Sequence, residues 1–323
     1  MEEVTKQHSS QLPLVSIICT VYNQAAMLKQ ALQSVFDQTY PNIELLVIDN
    51  GSSDNSAEVI EQVLSNCPSN IRSSVFIHPF ALNYCESFNQ VFMQAEGKYF
   101  IDLSGDDVLF PQHIDTSVKK LEQHPEAWAV FSNVELWQVE STKSSFFYLD
   151  AGEIVEEGDL YTAIVAGNPV LSVSLVVSSD KFRQEGMYDT SLTYEDFDLM
   201  VRMSRKYPLF YTGEIGVKKS IHQFSFSSQQ YQARQSKMLP STYRVCRKIQ
   251  AMNRNEEEQE ALKVRVMYEL KMAAFSANFQ VAKDLIGLAK ELGMSSFQLL
   301  GYRLICQFGF DLSFLIGLKQ RLR

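Results

Sequence analysis

The chain has 323 residues, of which 46% are hydrophobic, 11% aromatic and 21% charged. That composition excludes a disordered, collagen-like or coiled-coil protein and leaves ample apolar material for a core. The formal net charge of -9 argues against general nucleic-acid binding, which needs clustered Lys and Arg. The charge is uneven, with a net -16 over residues 1–227 and +7 over residues 228–323. An acidic body suited to a divalent metal thus precedes a basic segment suited to an anionic partner. Five scattered cysteines without a C-x-x-C pair point to reduced thiols. The polar N-terminus lacks an apolar signal core, and no run of 18 uncharged apolar residues occurs. Neither a signal peptide nor a transmembrane helix is expected, and the expected location is cytoplasmic.

A β-branched run over residues 14–20, too short for a helix, predicts a buried strand. Met27, Ala31, Leu32, Val35 and Phe36 recur at three- and four-residue spacing and predict a helix, with Asn23 as its N-cap and Pro41 ending it. A second buried strand over 43–49 runs into a turn-rich loop over 50–56. Val59, Ile60, Val63 and Leu64 mark the next helix. A strand over 74–78, a helix over 86–94 and a strand over 99–103 follow, the last ending in Ser104-Gly105-Asp106-Asp107. Further on, a helix is expected from Pro111 to about Gln123, strands over 128–132 and 171–177, and a helix over 194–205. Residues 135–159 carry no clear pattern.

Strand–helix alternation of this kind predicts an α/β fold with a doubly wound, mostly parallel sheet. Ligands of such sheets bind beyond the carboxyl ends of the strands, where Thr20, Asp49, Asn50, Asp106 and Asp107 fall. Beyond about residue 229, Lys-, Arg- and Gln-rich helical patterns replace the β-rich runs. The expected division is a polar tail over 1–12, an α/β domain over 13–230 and a basic helical region over 231–323.

Adjacent carboxylates at Asp106 and Asp107 repel each other, and a hard divalent cation would compensate them. An acidic turn with one Asp capping the next helix has the same composition. Asp49-Asn50-Gly51-Ser52 offers an acceptor and a donor to a nucleotide base, although turn residues fill ordinary αβ loops as well. Tyr194-Glu195-Asp196-Phe197-Asp198 gathers three carboxylates at a helix start, where the dipole favours them in any case. His222 is a candidate metal or phosphate contact, or a surface or core histidine.

Four of these segments, in order, resemble the inverting family-two glycosyltransferases with the GT-A fold. They are Val15-Ser16-Ile17-Ile18-Cys19-Thr20-Val21-Tyr22-Asn23; residues 34–44 with Val47-Ile48-Asp49-Asn50-Gly51-Ser52-Ser53-Asp54; Gly97-Lys98-Tyr99-Phe100-Ile101 up to Asp106-Asp107; and Glu195-Asp196-Phe197-Asp198-Leu199. The resemblance covers residues 13–227. It implies that Thr20, Tyr22 and Asn50 line a nucleoside pocket, with Tyr22 on the base and Asp49 supporting the loop. It implies that Asp106 coordinates a Mn or Mg ion bridging a diphosphate, and that Asp107 assists the metal or contacts the sugar. Asp196 would be the general base, and His222 a further metal or phosphate contact. Asn50 departs from the second Asp of many members, and Ser104 replaces the first Asp of D-x-D.

The implied reaction moves a hexosyl group, with inversion, from a nucleotide-diphospho-sugar, a UDP-sugar being favoured. The acceptor would be a hydroxyl of a saccharide or lipid-linked saccharide in polysaccharide or glycoconjugate synthesis, chosen by residues 135–159 and the segment after His222. A nucleotidyltransferase would show a Gly-rich loop with a basic residue after the first strand, where this chain has Thr20-Val21-Tyr22-Asn23-Gln24. An inactive sugar-nucleotide-binding or scaffolding subunit would have no need of Asp106, Asp107 and Asp196 together. Residues 308–323 pair bulky apolar side chains with Lys319, Arg321 and Arg323. They are expected either to pack on protein, on the same chain or in a dimer contact, or to anchor the protein peripherally on the inner face of a membrane.

Overall fold

The computed structural model describes residues 12–148, 155–167, 169–222 and 225–314. Most of the polar tail, and Lys319, Arg321 and Arg323, lie outside the described residues. Aliphatic, β-branched sequence makes β1 (Val15–Val21) and β2 (Ile43–Asp49), in which every residue is buried. Strands buried on both faces need a layer on each side. Val15, Ile17, Cys19 and Val21 pack with Leu28, Leu32 and Val35 of α1 (Ala25–Phe36) and Ile60 and Val63 of α2 (Ser56–Leu64). Ile18, of opposite parity, joins a second core.

The chain continues through β3 (Arg72–Ile77), α3 (Tyr84–Phe92), β4 (Tyr99–Ser104), β5 (Val108–Leu109), α4 (His113–Gln123), β6 (Ala129–Gln138) and β7 (Lys143–Phe146). Next come α5 (Tyr161–Ala166), β8 (Val176–Ser178), α6 (Ser179–Gln184), α7 (Asp196–Ser204) and β9 (Leu209–Ile221). Four helices end the described chain: α8 (Leu239–Met252), α9 (Glu256–Phe275), α10 (Phe279–Glu291) and α11 (Ser296–Phe308). The sheet order is β3-β2-β1-β4-β8-β6-β9-β5, with β7 paired off this path to Glu135–Gln138 at the end of β6. From β3 to β4 all pairs are parallel. β8 runs antiparallel to β4 and β6, β6 and β9 are parallel, and β5 is antiparallel to β9. The mostly parallel α/β sheet expected from the sequence is therefore present, with its mixed part beyond β4.

Several local expectations need correction. The strand expected over 171–177 is a 3₁₀ turn at Ser172–Ser174 followed by the three-residue β8. β9, thirteen residues long, had no counterpart in the sequence reading, because Gly213, Gly216, Lys218 and Lys219 interrupt its apolar pattern. Pairing with β6 on one side and β5 on the other holds it extended. Asn23 is not the N-cap of α1. It sits at a positive φ of 53°, and its side-chain oxygen accepts from the Ser53 N–H at 2.7 Å. The first helical N–H, that of Ala25, donates instead to Asp54 at 3.1 Å, so the loop after β2 caps the helix after β1.

The C-terminal helices share the larger core. Phe88, Phe100 and Trp128 of the α/β part belong to one buried cluster with Leu262, Leu285 and Leu299 of α9, α10 and α11. Charged pairs stitch the join: Lys248 on α8 lies 2.6 Å from both Asp189 and Asp198, and Arg205 lies 2.7 Å from Glu258 of α9.

Candidate active site

The carboxyl ends of β1, β2 and β4 open into a cleft of about 1360 Å³. It exceeds the roughly 300–1,000 Å³ of a typical small-molecule pocket. Thr20, Tyr22, Asn50, Asp106, Asp107, Asp196 and His222 all line it. Asp49 lies behind, fully enclosed, and accepts from the Ser52 N–H at 2.8 Å, which shapes the turn. Gly51 takes φ 77°, and a Cβ there would stand 2.3 Å from the Phe80 carbonyl carbon, so only glycine lets this loop meet residues 80–83. Asn50 locks that meeting. Its amide donates to the Leu82 carbonyl at 3.1 Å and accepts from the Leu82 N–H at 3.0 Å. Tyr22 stands half-exposed at the rim, free to lie against a flat ring.

The second group forms where β5 pairs with β9. Val108 opposes Lys218 and Leu109 opposes Val217, which carries the Asp106-Asp107 turn beside residues 219–222. Asp106 Oδ2 lies 2.9 Å from His222 Nε2, and Ser104 Oγ donates to Asp106 Oδ1. Asp107 turns the other way. It accepts from the Ser220 N–H at 2.9 Å and lies 3.9 Å from Lys219 Nζ. Burial pushes Asp107 up to about 6, against the pull of Lys219. Among the described residues no group of three or more His, Cys, Asp and Glu side chains converges as a metal site. Asp106 and His222 nonetheless present an oxygen and an imidazole nitrogen to the same open cleft. That pair fits an ion whose remaining ligands come from substrate phosphates and water.

The third group is acidic. Asp102 on β4 accepts from Tyr84 Oη at 2.6 Å and Tyr188 Oη at 2.7 Å, and burial raises it to about 6. Glu195 is held well above the ordinary carboxylate range by burial and by the charges of Asp196 and Asp102. Asp196, at the start of α7, is raised by burial, although the Phe197 N–H at 2.6 Å and Lys219 oppose the rise. The third carboxylate of that motif, Asp198, leaves the cleft and pairs with Arg202 and Lys248. Lys219 was missed in the sequence. Its signal was the Lys218-Lys219 pair in a strand whose alternation glycines obscure. The cleft also reaches Gln229, Gln232 and Gln235, and Arg265 and Tyr268 of α9, which no local motif distinguishes.

The parallel half-sheet, the acidic strand-end turn and the carboxylate at a later helix start together have the arrangement of an α/β fold of the GT-A type. Residues 16–145 match the family described as Glycosyl transferase family 2, and over that stretch the chain is similar to its members. A Rickettsia felis protein described as an uncharacterized glycosyltransferase is 29% identical over 217 residues, which cover 65% of this chain. The same match spans only 34% of that relative's length. Among solved structures, S. aureus TarS 1–349 in complex with UDP-GlcNAc superposes with a TM-score of 0.60 at 15% identity, over 82% of this chain and 74% of that one. The mannosyltransferase PcManGT from Pyrobaculum calidifontis, in complex with GDP-Man and Mn2+, gives 0.59 at 13% identity over 93% and 87%. At these identities the likeness is one of fold.

Proposed function

We propose that the protein is an inverting glycosyltransferase that moves a hexosyl group from a nucleotide-diphospho-sugar to a hydroxyl of a saccharide acceptor, in polysaccharide or glycoconjugate synthesis. The observation that carries this is the presence of three chemistries in one cleft: a nucleoside rim, the Asp106–His222 pair and the Asp196 carboxylate. Tyr22 would pack on the base, and the Asn50-braced loop would hold the nucleoside end. Asp106 and His222 would hold a Mn or Mg ion, which when bound neutralises charge on the departing diphosphate. Asp107 and Lys219 keep the β9 end in place beside them.

Asp196 takes the proton from the acceptor hydroxyl as that oxygen bonds to the anomeric carbon. The bond from that carbon to the diphosphate oxygen breaks with its electron pair, and single displacement inverts the centre. Burial that raises Asp196 makes it a stronger base than a solvated carboxylate, and such catalysis supplies about 10²–10⁴-fold.

Calorimetry with UDP- and GDP-sugars, with and without Mn, followed by assay of sugar release, tests the reading. One nucleotide sugar should bind with metal dependence and turn over slowly. Asp196→Asn should lower turnover by about 10²-fold or more at unchanged donor affinity, because the base acts on the acceptor in the transition state. Binding without any wild-type turnover would instead indicate a sugar-nucleotide-binding subunit. No binding of any nucleotide sugar would overturn the assignment.

A further inference from the structure

α11 is attached to the body through Leu299 and Cys306, seven residues apart on one face and buried against the other C-terminal helices. On the opposite face Phe297, Leu300, Leu304 and Phe308 recur at intervals of three, four and four and form one exposed stripe. Phe297 is 86% exposed and Phe308 63%. Beyond the Gly309 cap the pattern continues with Phe310 and Phe314, also exposed, and the Phe310 ring lies 5.7 Å from that of Phe308. A contiguous apolar surface of this kind marks an interaction site.

The charges around the stripe indicate what covers it. α11 has no acidic residue, and its one charged side chain is the exposed Arg303. Lys283 of α10 lies within electrostatic reach of Cys306. Lys271 of α9 lies over the ring of Phe275, which faces Tyr302 of α11. Asp311 is the single carboxylate between residues 296 and 314, and Arg234 pairs with it. Residues 315–323 add Lys319, Arg321 and Arg323 and no acid. A second copy laid face to face would bring these cations together in excess of the acids beside the stripe, Asp311 and Asp284 of α10. An anionic lipid surface meets both demands, since it takes the apolar stripe into its interface and the cations at its headgroups.

We propose that α11 and residues 310–314 dock the protein on an anionic lipid surface, with the Phe297–Phe308 stripe facing the acyl chains. The surface is close to the cleft along the chain of contacts. Arg234, the partner of Asp311, lies between Gln232 and Gln235, both of which line the cleft. If the glycosyltransferase reading holds, the acceptor is then a saccharide carried on a lipid.

The test is vesicle flotation of the full chain, comparing phosphatidylglycerol-containing with pure phosphatidylcholine vesicles, and wild type with Leu304→Glu/Phe308→Glu. Both positions are exposed and far in sequence from the cleft, so the variant should keep the wild-type circular dichroism spectrum. Wild type should float with anionic vesicles, at least tenfold more than with neutral ones, and less at high salt. The variant should lose that flotation. Equal flotation of the variant, or none of the wild type at low salt, overturns the proposal. So does a wild-type dimer in ultracentrifugation that the variant converts to monomer, which would assign the stripe to a second copy. Nucleotide-sugar binding measured on the same samples reports on the cleft independently, so failure of one reading does not mask the other.

Discussion

Asp106 and Asp107 are neighbours with identical side chains, yet the fold gives them different partners. Asp106 contacts His222 at the cleft wall, and Asp107 latches the end of β9 through the Ser220 N–H and Lys219. Asp106→Ala should therefore remove the metal-dependent part of nucleotide affinity with little change in melting temperature. Asp107→Ala should lower stability by about 1–3 kcal/mol, the cost of leaving a buried donor unpaired, and weaken binding only indirectly. Calorimetry with and without Mn, paired with thermal melts, separates the two. Identical losses in both assays would mean that the carboxylates share one role. The departure at Asn50 has a local reason as well. Its amide donates to Leu82 and accepts from it, and an Asp there could not make the donated bond at neutral pH. The sequence showed both positions as polar residues at strand ends. Which atom each one meets depends on residues 32 and more than 110 positions away.

At the scale of elements, the parallel half of the sheet has no hairpins to set its register. A buried carboxylate helps to do so. Glu44 of β2 accepts from Ser16 of β1 at 2.6 Å and from the Glu96 and Gly97 N–H groups that lead into β4, and it pairs with Arg72 of β3. A Cβ on Gly97 would stand 2.4 Å from Ser16 Oγ, so glycine is needed for this approach. Burial pushes the Glu44 carboxyl up, but the Ser16 hydroxyl, Arg72 and the Glu96 N–H outweigh it and hold it below the usual carboxylate range. A depressed folded-state value contributes stability that is present above the ordinary Glu range and lost as pH falls through it. Glu44→Gln should cost about 2–3 kcal/mol in urea unfolding at pH 7. The gap from wild type should begin to narrow as pH falls through the ordinary Glu range and should close only at the lower pH where the folded carboxylate also protonates. Equal stability at pH 7 would show that strand packing sets register without it. β1 and β2 could be read from their apolar runs, whereas β9 could not, because a strand held by two distant partners tolerates Gly and Lys that a local pattern treats as breaks.

For the molecule as a whole, the basic C-terminal region is continuous with the core of the α/β part. Lys248 is central to the join, since it reaches Asp189 and the buried Asp198 at the same time. Lys248→Met should leave Asp198 with Arg202 alone and lower stability by about 2 kcal/mol, less than the roughly 3–5 kcal/mol for stripping a buried charge of all partners. With one shared core, scanning calorimetry should show a single transition shifted downward as a unit. Two separate transitions would show that residues 231–323 unfold independently.

The sequence alone determined the α/β class, the first four parallel strands, and the strand-end positions of Thr20, Asp49, Asn50, Asp106 and Asp107. These are properties of local apolar runs and turn residues, and side-chain periodicity encodes them within a few residues. It also set Asp196 at a helix start. Only the tertiary structure decided that His222 meets Asp106, that Asp107 and Asp198 are tied to Lys219, Lys248 and the backbone, and that Lys219 and α9 help wall the cleft. The exposure of the α11 stripe was likewise settled by packing, because a helix with apolar residues on two faces does not reveal which one its neighbours cover. Such features depend on pairings between segments remote in sequence, where register and docking, rather than local pattern, fix which groups touch.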